Sequence, residues 1–178
     1  KLLFANGAGT VKAVAVGSDD SGKADYESAF AALSEEEDVG IVVCDSAETT
    51  VHQSLKESVE GASAARRERI AVVGGKEETA AQMVSHARAI NSERVVLVGP
   101  DVTLSDGTER SAAFAAAAVA GVIAAGGSAS TPINGAALAG IGAVSRRLSD
   151  SEIDQLVRGG VTPLETVGGI CSPVRGIT

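Results

Sequence analysis

The chain has 178 residues, a length that suits one compact domain with a well-filled core. Hydrophobic residues make up 44% of it and aromatic residues only 2%, which favours closely layered helices and strands over a deep pocket walled by aromatic rings. A net charge of -8 repels the phosphate backbone, and few aromatic side chains are present for bases to stack on, so nucleic acid is excluded as a partner.

The two cysteines and the chain start bear on where the protein is made. Cys44 and Cys171 match neither a metal-ligand spacing nor the disulfide framework of a small secreted protein, which predicts free thiols in a reducing cytoplasm. The sequence begins at Lys1 without a secretory signal, and we expect it to be part of a longer protein. The uncharged stretch from Ser111 to Thr131 is dominated by Ala, whereas a membrane span needs ~20 strongly apolar residues, so a core helix is predicted.

The first half of the chain alternates between predicted strands and helices. The strands are nearly continuous in apolar character, which is typical of a parallel sheet buried on both faces. They are Val11 to Val16, Val39 to Cys44, Arg69 to Val73 and Arg94 to Val98. The helices are Ala24 to Glu37, Thr49 to Arg67 and Glu77 to Ile90. This βαβαβαβ order predicts an α/β fold with a doubly wound, mostly parallel sheet and helices on both of its faces.

The second half of the chain adds local signals for turns and helix ends. Asp106-Gly107 predicts a tight turn within a small excursion from Asp101 to Thr108. An Ala-rich helix follows from Ser111 to about Ala125 and ends at Gly126-Gly127, where a left-handed cap is needed.

The last segment predicts one more helix and a C-terminal β-hairpin. Ser149 to Glu152 forms a capping box for a helix that continues to about Arg158. Val161 to Val167 and Ile170 to Ile177 then pair around two glycines. With no linker in between, residues 1-178 are predicted to be a single α/β domain.

Two glycine-containing turns are candidate phosphate loops, because α/β sheets bind nucleotides at the carboxyl ends of their strands. Val16 to Gly22 lacks the G-x-G-x-x-G spacing and carries two carboxylates where a pyrophosphate needs bare N–H groups. Val73 to Lys76 lacks the frame of a P-loop and predicts a plain strand-to-helix turn. No cofactor is expected.

Asp20-Ser21-Gly22 is a short match to the Asp region of subtilisin-type proteases, which makes a serine hydrolase a candidate function. The nucleophile is missing, since neither G-x-S-x-G nor the Gly-Thr-Ser motif of that family occurs. His52 and His86 each lie inside a helical segment, where a solvated or capping role is predicted. No catalytic residue and no metal site are predicted, because two isolated histidines and two distant cysteines offer no short-range pair of ligands. An α/β nucleotide-binding or hydrolase-like domain stays the alternative.

Charge clusters are the remaining candidate functional groups. In an isolated domain they are ordinary solvated faces, whereas in a homopolymer they can be complementary contacts between neighbouring subunits. The candidate subunit contacts are the acidic run Glu35, Glu36, Glu37 and Asp38 and the arginines Arg66, Arg67, Arg69, Arg146, Arg147 and Arg175.

The order and spacing of several segments resemble the tail sheath proteins of contractile bacteriophages. An Ala/Gly-rich helix, Ser111 to Ala124, leads to the Pro/Asn-containing loop Ser130 to Gly135 and the Leu-Ala-Gly-Ile run at Leu138 to Ile141. Leu148 to Leu164 is similar to the next helix and turn of that family, and Val174 to Thr178 to the segment before its C-terminal domain. The Arg69 to Gly75 and Glu93 to Pro100 runs also fit.

The resemblance implies a subtilisin-like α/β domain without protease chemistry. It implies a structural, non-enzymatic subunit of a helical sheath, with the tail tube, baseplate and tail terminator proteins as partners and no direct membrane insertion. Such a sheath belongs to the virion tail, is assembled in the host bacterial cytoplasm, and contracts to drive the tube through the cell envelope. Family members exchange N- and C-terminal arms, which this chain is expected to lack. A sheath of a related injection machine, such as a secretion apparatus or a bacteriocin particle, stays open.

Overall fold

A computed structural model of the chain describes residues 1-17, 22-76, 79-128 and 130-176. The first half contains α1 (Leu2–Ala5), α2 (Lys23–Ser34), β1 (Ile41–Val43), α3 (Thr49–Ala64), β2 (Ile70–Gly74), α4 (Ala80–Ile90) and β3 (Val95–Gly99). The second half contains β4 (Val102–Leu104), β5 (Glu109–Arg110), α5 (Ala112–Ala125), β6 (Ile141–Val144), α6 (Asp150–Arg158), β7 (Val161–Val167) and β8 (Ile170–Pro173).

The main sheet has five strands in the order β1-β2-β3-β7-β8. Its first four strands are parallel, and β8 pairs antiparallel with β7 as the second strand of a hairpin. A smaller antiparallel sheet has the order β5-β4-β6. The prediction of an α/β fold with a mostly parallel sheet is confirmed.

Alternate residues of the central strands belong to two separate core clusters. Ala71 and Val73 pack with residues of α3, α4 and α6, whereas Val72 packs with residues of α5. The same alternation recurs in β3, where Val95 and Leu97 belong to the first cluster and Val96 to the second. Both sets of side chains are buried, which explains why these strands are continuous rather than alternating in apolar character.

The first predicted strand was wrong. Residues 11-16 have no strand partner, and β1 forms the end of the sheet order. Val14 is 41% exposed. The β-branched composition favours an extended backbone, but a strand also needs a hydrogen-bonded neighbour, which a local pattern cannot specify. In the glycine-containing turn from Val16 to Gly22, residues 18-21 lie outside the described residues.

Two helices end earlier than predicted. Arginine side chains bind the last carbonyls of one, and the backbone leaves the helical conformation after the other. α2 ends at Ser34, where the guanidinium groups of Arg67 and Arg69 donate to its last carbonyls. α3 ends at Ala64, and Arg66 has a φ of 63°, which takes the backbone out of the helix. The start of the third predicted helix, at residues 77 and 78, lies outside the described residues.

The Ala-rich helix is confirmed as α5, which lies against β2 and β3 with most of its surface buried. Gly127, with a φ of 70°, follows it as the predicted left-handed residue. Small side chains permit close contact, since a Cβ atom at Gly74 would overlap the backbone of Ala112. None of the helices in the described ranges is long and apolar enough to cross a membrane.

The predicted Asp106-Gly107 turn and the capping box are also present. Gly107, with a φ of 86°, completes the turn between β4 and β5. The Ser149 hydroxyl accepts from the N–H of Glu152, whose carboxylate accepts from Ser149 N at 2.9 Å. The C-terminal hairpin is confirmed, with β8 ending at Pro173; Ile177 lies outside the described residues.

Candidate functional site

The carboxyl ends of the parallel strands are where an α/β protein would hold a ligand. After β3, the carboxylate of Asp101 accepts a hydrogen bond from the N–H of Ala112 at 2.8 Å, at the start of α5. After β2, the Lys76 ammonium forms an ion pair with the carboxylate of Glu48. A phosphate at this helix N-terminus would meet a carboxylate of the protein itself, and the lysine of the glycine turn has an acidic partner.

The two histidines are buried and bonded to each other, which corrects the prediction of solvated or capping roles. His52 is 0% and His86 4% exposed. His52 Nδ1 lies 2.9 Å from His86 Nε2, and the rings are stacked with centroids 5.0 Å apart. The prediction failed because His52 shares the buried face of α3 with Leu55 and Val59, a helical spacing that was present in the sequence.

The tautomer of this pair follows from a backbone contact. His52 Nε2 lies 2.8 Å from the carbonyl oxygen of Ser46, which can only accept, so Nε2 carries the hydrogen. In the neutral ring Nδ1 is then the acceptor and His86 Nε2 the donor. Both nitrogens of His52 therefore bond to the protein, and the pair links α3 to α4. Asp20 and Ser21, the other part of the subtilisin-like match, lie outside the described residues.

The cysteines are free thiols in the structure, as predicted. Burial raises the pKa of the Cys44 thiol to about 12 and also raises that of Cys171. Both thiols therefore stay protonated at neutral pH, which makes them poor nucleophiles and poor metal ligands. Across the described part of the chain, no group of three or more His, Cys, Asp or Glu side chains is placed to hold a metal ion.

The structure brings the acidic run and two candidate arginines together at the end of α2. Arg69 is 2% exposed and donates to the carbonyl oxygens of Leu33 at 2.8 Å and of Glu36. The Arg67 guanidinium donates to the carbonyl oxygen of Ser34. These two arginines bind the backbone of the acidic segment, so they satisfy carbonyls that a helix end leaves unpaired.

The carboxylates of the acidic run remain at the surface. Glu36 forms an ion pair with Lys12, and this contact raises the pKa of the lysine. Glu35, Glu37 and Asp38 are exposed. They form an acidic face in the connection between α2 and β1.

The other arginines lie elsewhere. Arg146 donates to Glu152 at 2.7 Å, in the first turn of α6. Arg66, Arg147 and Arg175 are exposed, at the end of α3, after β6 and after β8. The sequence carried no signal that separates these surface arginines from Arg69, whose burial depends on packing against α2.

The fold and these groups define a class of protein, a mixed α/β domain. Polar side chains at the ends of its strands are paired with groups of the domain itself, and its outer faces are charged. The family described as "Phage tail sheath protein central domain" matches residues 19-171. The chain belongs to this family.

Individual relatives agree with this assignment. The tail sheath protein of Bacillus phage SP01 is 38% identical over 120 residues, which are 64% of this chain and 21% of that protein. The fold is similar to that of the sheath tail protein of Desulfitobacterium hafniense, with a TM-score of 0.70, 20% identity, and coverage of 94% of this chain and 39% of that one. The helical sheath of the anti-feeding prophage in its contracted state has a TM-score of 0.60 at 16% identity, over 97% of this chain and 48% of that one. The chain thus spans less than half the length of these proteins.

Proposed function

We propose that this chain is the central domain of a contractile-tail sheath subunit, which polymerises around a tail tube and contracts to drive the tube through the host cell envelope. The family match over residues 19-171 carries this proposal. The similarity to a contracted helical sheath supports the contractile part of it.

The proposed role is structural rather than enzymatic, on a subtilisin-like, doubly wound sheet with helices on both faces. The division of strand residues between one core cluster with α3, α4 and α6 and another with α5 supports this layout. The burial of His52, whose two ring nitrogens both bond to the protein, supports the absence of protease chemistry.

The proposed partners are other copies of the subunit, the tail tube protein, and the baseplate and tail terminator proteins. The net charge of -8 argues against nucleic acid. The proposed location is the sheath of the virion tail, with assembly in the host bacterial cytoplasm and without direct membrane insertion. The same structural role suits the sheath of a related injection machine.

Contraction requires contacts between subunits that can be exchanged. We place part of these contacts on the acidic face of Glu35, Glu37 and Asp38 and on the exposed arginines Arg147 and Arg175. Exposed ion pairs contribute about 0.2–1 kcal/mol each, so a rigid domain can release one set and form another as the lattice changes.

Electron microscopy of the full-length protein tests the proposal. Negatively stained samples should contain tubular polymers, and a thermal-shift screen with nucleotides should leave the melting temperature unchanged. A purified, monodisperse protein that never forms tubes under any assembly condition, or one that nucleotides stabilise, would contradict it.

A further inference from the structure

The two edges of the five-stranded sheet differ in how they are covered. On the outer side of β8, the carbonyl oxygens of Cys171 and Pro173 accept hydrogen bonds from Leu138 N at 2.9 Å and Gly135 N at 2.8 Å. At the other end, β1 has β2 as its one strand neighbour within the part of the chain that the structure describes. An open strand edge presents unpaired peptide groups to any extended chain.

The backbone groups at this open edge can be identified from the pairing of β1 with β2. The carbonyl oxygen of Gly40 accepts from Ile70 N at 3.0 Å, and Val42 lies opposite Ala71. Alternate residues of a strand direct their peptide groups to opposite edges, so Gly40 and Val42 face β2. Ile41 and Val43 therefore direct their N–H and C=O groups outward.

A groove of about 770 Å³ opens beside β1 and continues to the amino ends of β2 and β3, where Ile70 and Arg94 line it. Residues 39-43 line it together with Thr10, Val11 and Lys12, which belong to the segment without regular secondary structure that precedes α2. Ile123 of α5 also contributes to the lining. One part of the groove thus lies between the open strand edge and a neighbouring segment of the same chain.

The handedness of the connections assigns a position to that segment. α3 leads from β1 to β2 and α4 from β2 to β3, and both pack in the same core cluster. Right-handed crossovers with helices on one face step across the sheet in one direction. α2 packs in this cluster through Phe30 and leads into β1, so a strand before α2 belongs at the outer edge of β1.

The segment also has the composition and the contacts for that position. Residues 10-16 read Thr-Val-Lys-Ala-Val-Ala-Val, which is rich in β-branched residues, and Val14 is 41% exposed. The Lys12 ammonium is paired with Glu36, in the connection between α2 and β1. One end of the segment is therefore held beside the edge, while the side chains of residues 13-15 are exposed to water.

We propose that residues 10-16 are a strap with two positions: the one in this structure, and a closed one in which the strap fills the groove and adds a parallel strand to the outer edge of β1. In the closed position the N–H groups of Ile41 and Val43 donate to carbonyl oxygens of the strap, and their own carbonyl oxygens accept from N–H groups of the strap. The strap thereby prevents extended segments of other molecules from pairing with the edge of β1.

Amide hydrogen exchange of the full chain, measured by NMR at Ile41 and Val43, tests the strap. If the closed position is populated, both amides exchange at least about tenfold more slowly than exposed amides in loops. This protection should not depend on protein concentration. Exchange at the rate of loop amides, or protection that rises with concentration and so reports pairing between molecules, would overturn the proposal.

Two adjacent proline substitutions provide a matched pair. Neighbouring residues of a strand direct their N–H groups to opposite edges, so only one of Ala13→Pro and Val14→Pro removes a hydrogen bond to β1. One variant should accelerate exchange at Ile41 and Val43 about tenfold more than the other, with Val14→Ala controlling for the lost side chain. Equal effects of the two prolines would contradict pairing of the strap with β1. Lys12→Glu, which leaves the backbone intact, should also accelerate exchange, and an unchanged rate would count against the role of the ion pair.

Discussion

Glycine at position 74 allows the closest contact between the sheet and α5. Gly74 is the last residue of β2, and an added Cβ atom would overlap the carbonyl group of Ala112 at the start of the helix. Because the obstructing atoms are backbone, no side chain can rotate away to make room. The Ala-rich composition of α5 and the glycine of β2 are therefore two parts of one packing arrangement.

Gly74→Ala should lower the free energy of unfolding by about 2–3 kcal/mol, since the helix must move away from the sheet to admit the methyl group. Urea denaturation measures this change. Gly61→Ala in α3 is the matched control, because its Cβ meets no atom within 4 Å and the residue is helical. That variant should gain about 0.5–1 kcal/mol. Equal effects of the two substitutions would contradict the close contact.

The buried histidines show at the same scale how a polar pair is accommodated in an apolar core. The two hydrogen bonds of His52, to His86 and to the Ser46 carbonyl, satisfy both of its ring nitrogens. Removal of one partner leaves a buried polar atom unpaired, which costs more than the bond contributes. The pair therefore fixes how α3 packs on α4.

At the scale of the element, α6 begins with a charge-dependent cap. The carboxylate of Glu152 accepts from the backbone N–H of Ser149 and from Arg146, and these bonds lower its pKa to about 2 from an ordinary 4.5. A group whose pKa is lowered by folding stabilises the folded state above its unfolded pKa and loses that effect as the pH falls. The contribution of Glu152 should be complete above about pH 4.5 and disappear toward pH 2.

Glu152→Gln should therefore lower the urea midpoint at pH 7 and converge on the original protein as the pH approaches 2. Chemical denaturation at intervals between these pH values measures the difference. Glu57→Gln, on an exposed position of α3, is the control and should follow the original protein throughout. A constant offset between Glu152→Gln and the original protein at all pH values would refute the role of the carboxylate charge.

At the scale of the whole molecule, the positions of the charged side chains determine which surfaces are able to contact another subunit. Arg67 and Arg69 bind the backbone at the end of α2, and their charges lie inside the subunit's own contacts. We propose the acidic face and the exposed Arg147 and Arg175 as the intersubunit contacts. A heterologous contact of this kind, repeated without closure, produces a helical polymer.

Reversal of charge on the acidic face or at the exposed arginines should impair sheath assembly, and mixing the two variants should restore it. In the full-length protein, Glu37→Lys with Asp38→Lys, or Arg147→Glu with Arg175→Glu, should raise the critical concentration for tubes about tenfold. A mixture of the two variants should co-assemble, as measured by sedimentation. Glu57→Lys with Glu93→Lys has the same change in charge at exposed positions and should assemble normally. Failure of the mixture to assemble would exclude pairing between the acidic face and these arginines.

The sequence alone determined the order of most elements and the family. The continuous apolar strands, the capping box of α6, the Asp106-Gly107 turn and the C-terminal hairpin were all predicted, because each depends on a pattern within a few neighbouring residues. Segments of this kind in a fixed order also supported the resemblance to sheath proteins, which the family match over residues 19-171 confirms.

Only the tertiary structure decided which polar groups meet across the fold. The bond between His52 and His86 and the binding of Arg69 to the end of α2 join residues more than 30 positions apart, so no local pattern reports them. The predicted strand at residues 11-16 failed for the same reason, since a strand exists only where another backbone lies beside it. Local preference specifies the conformation of a segment, whereas its partner depends on how the whole chain packs.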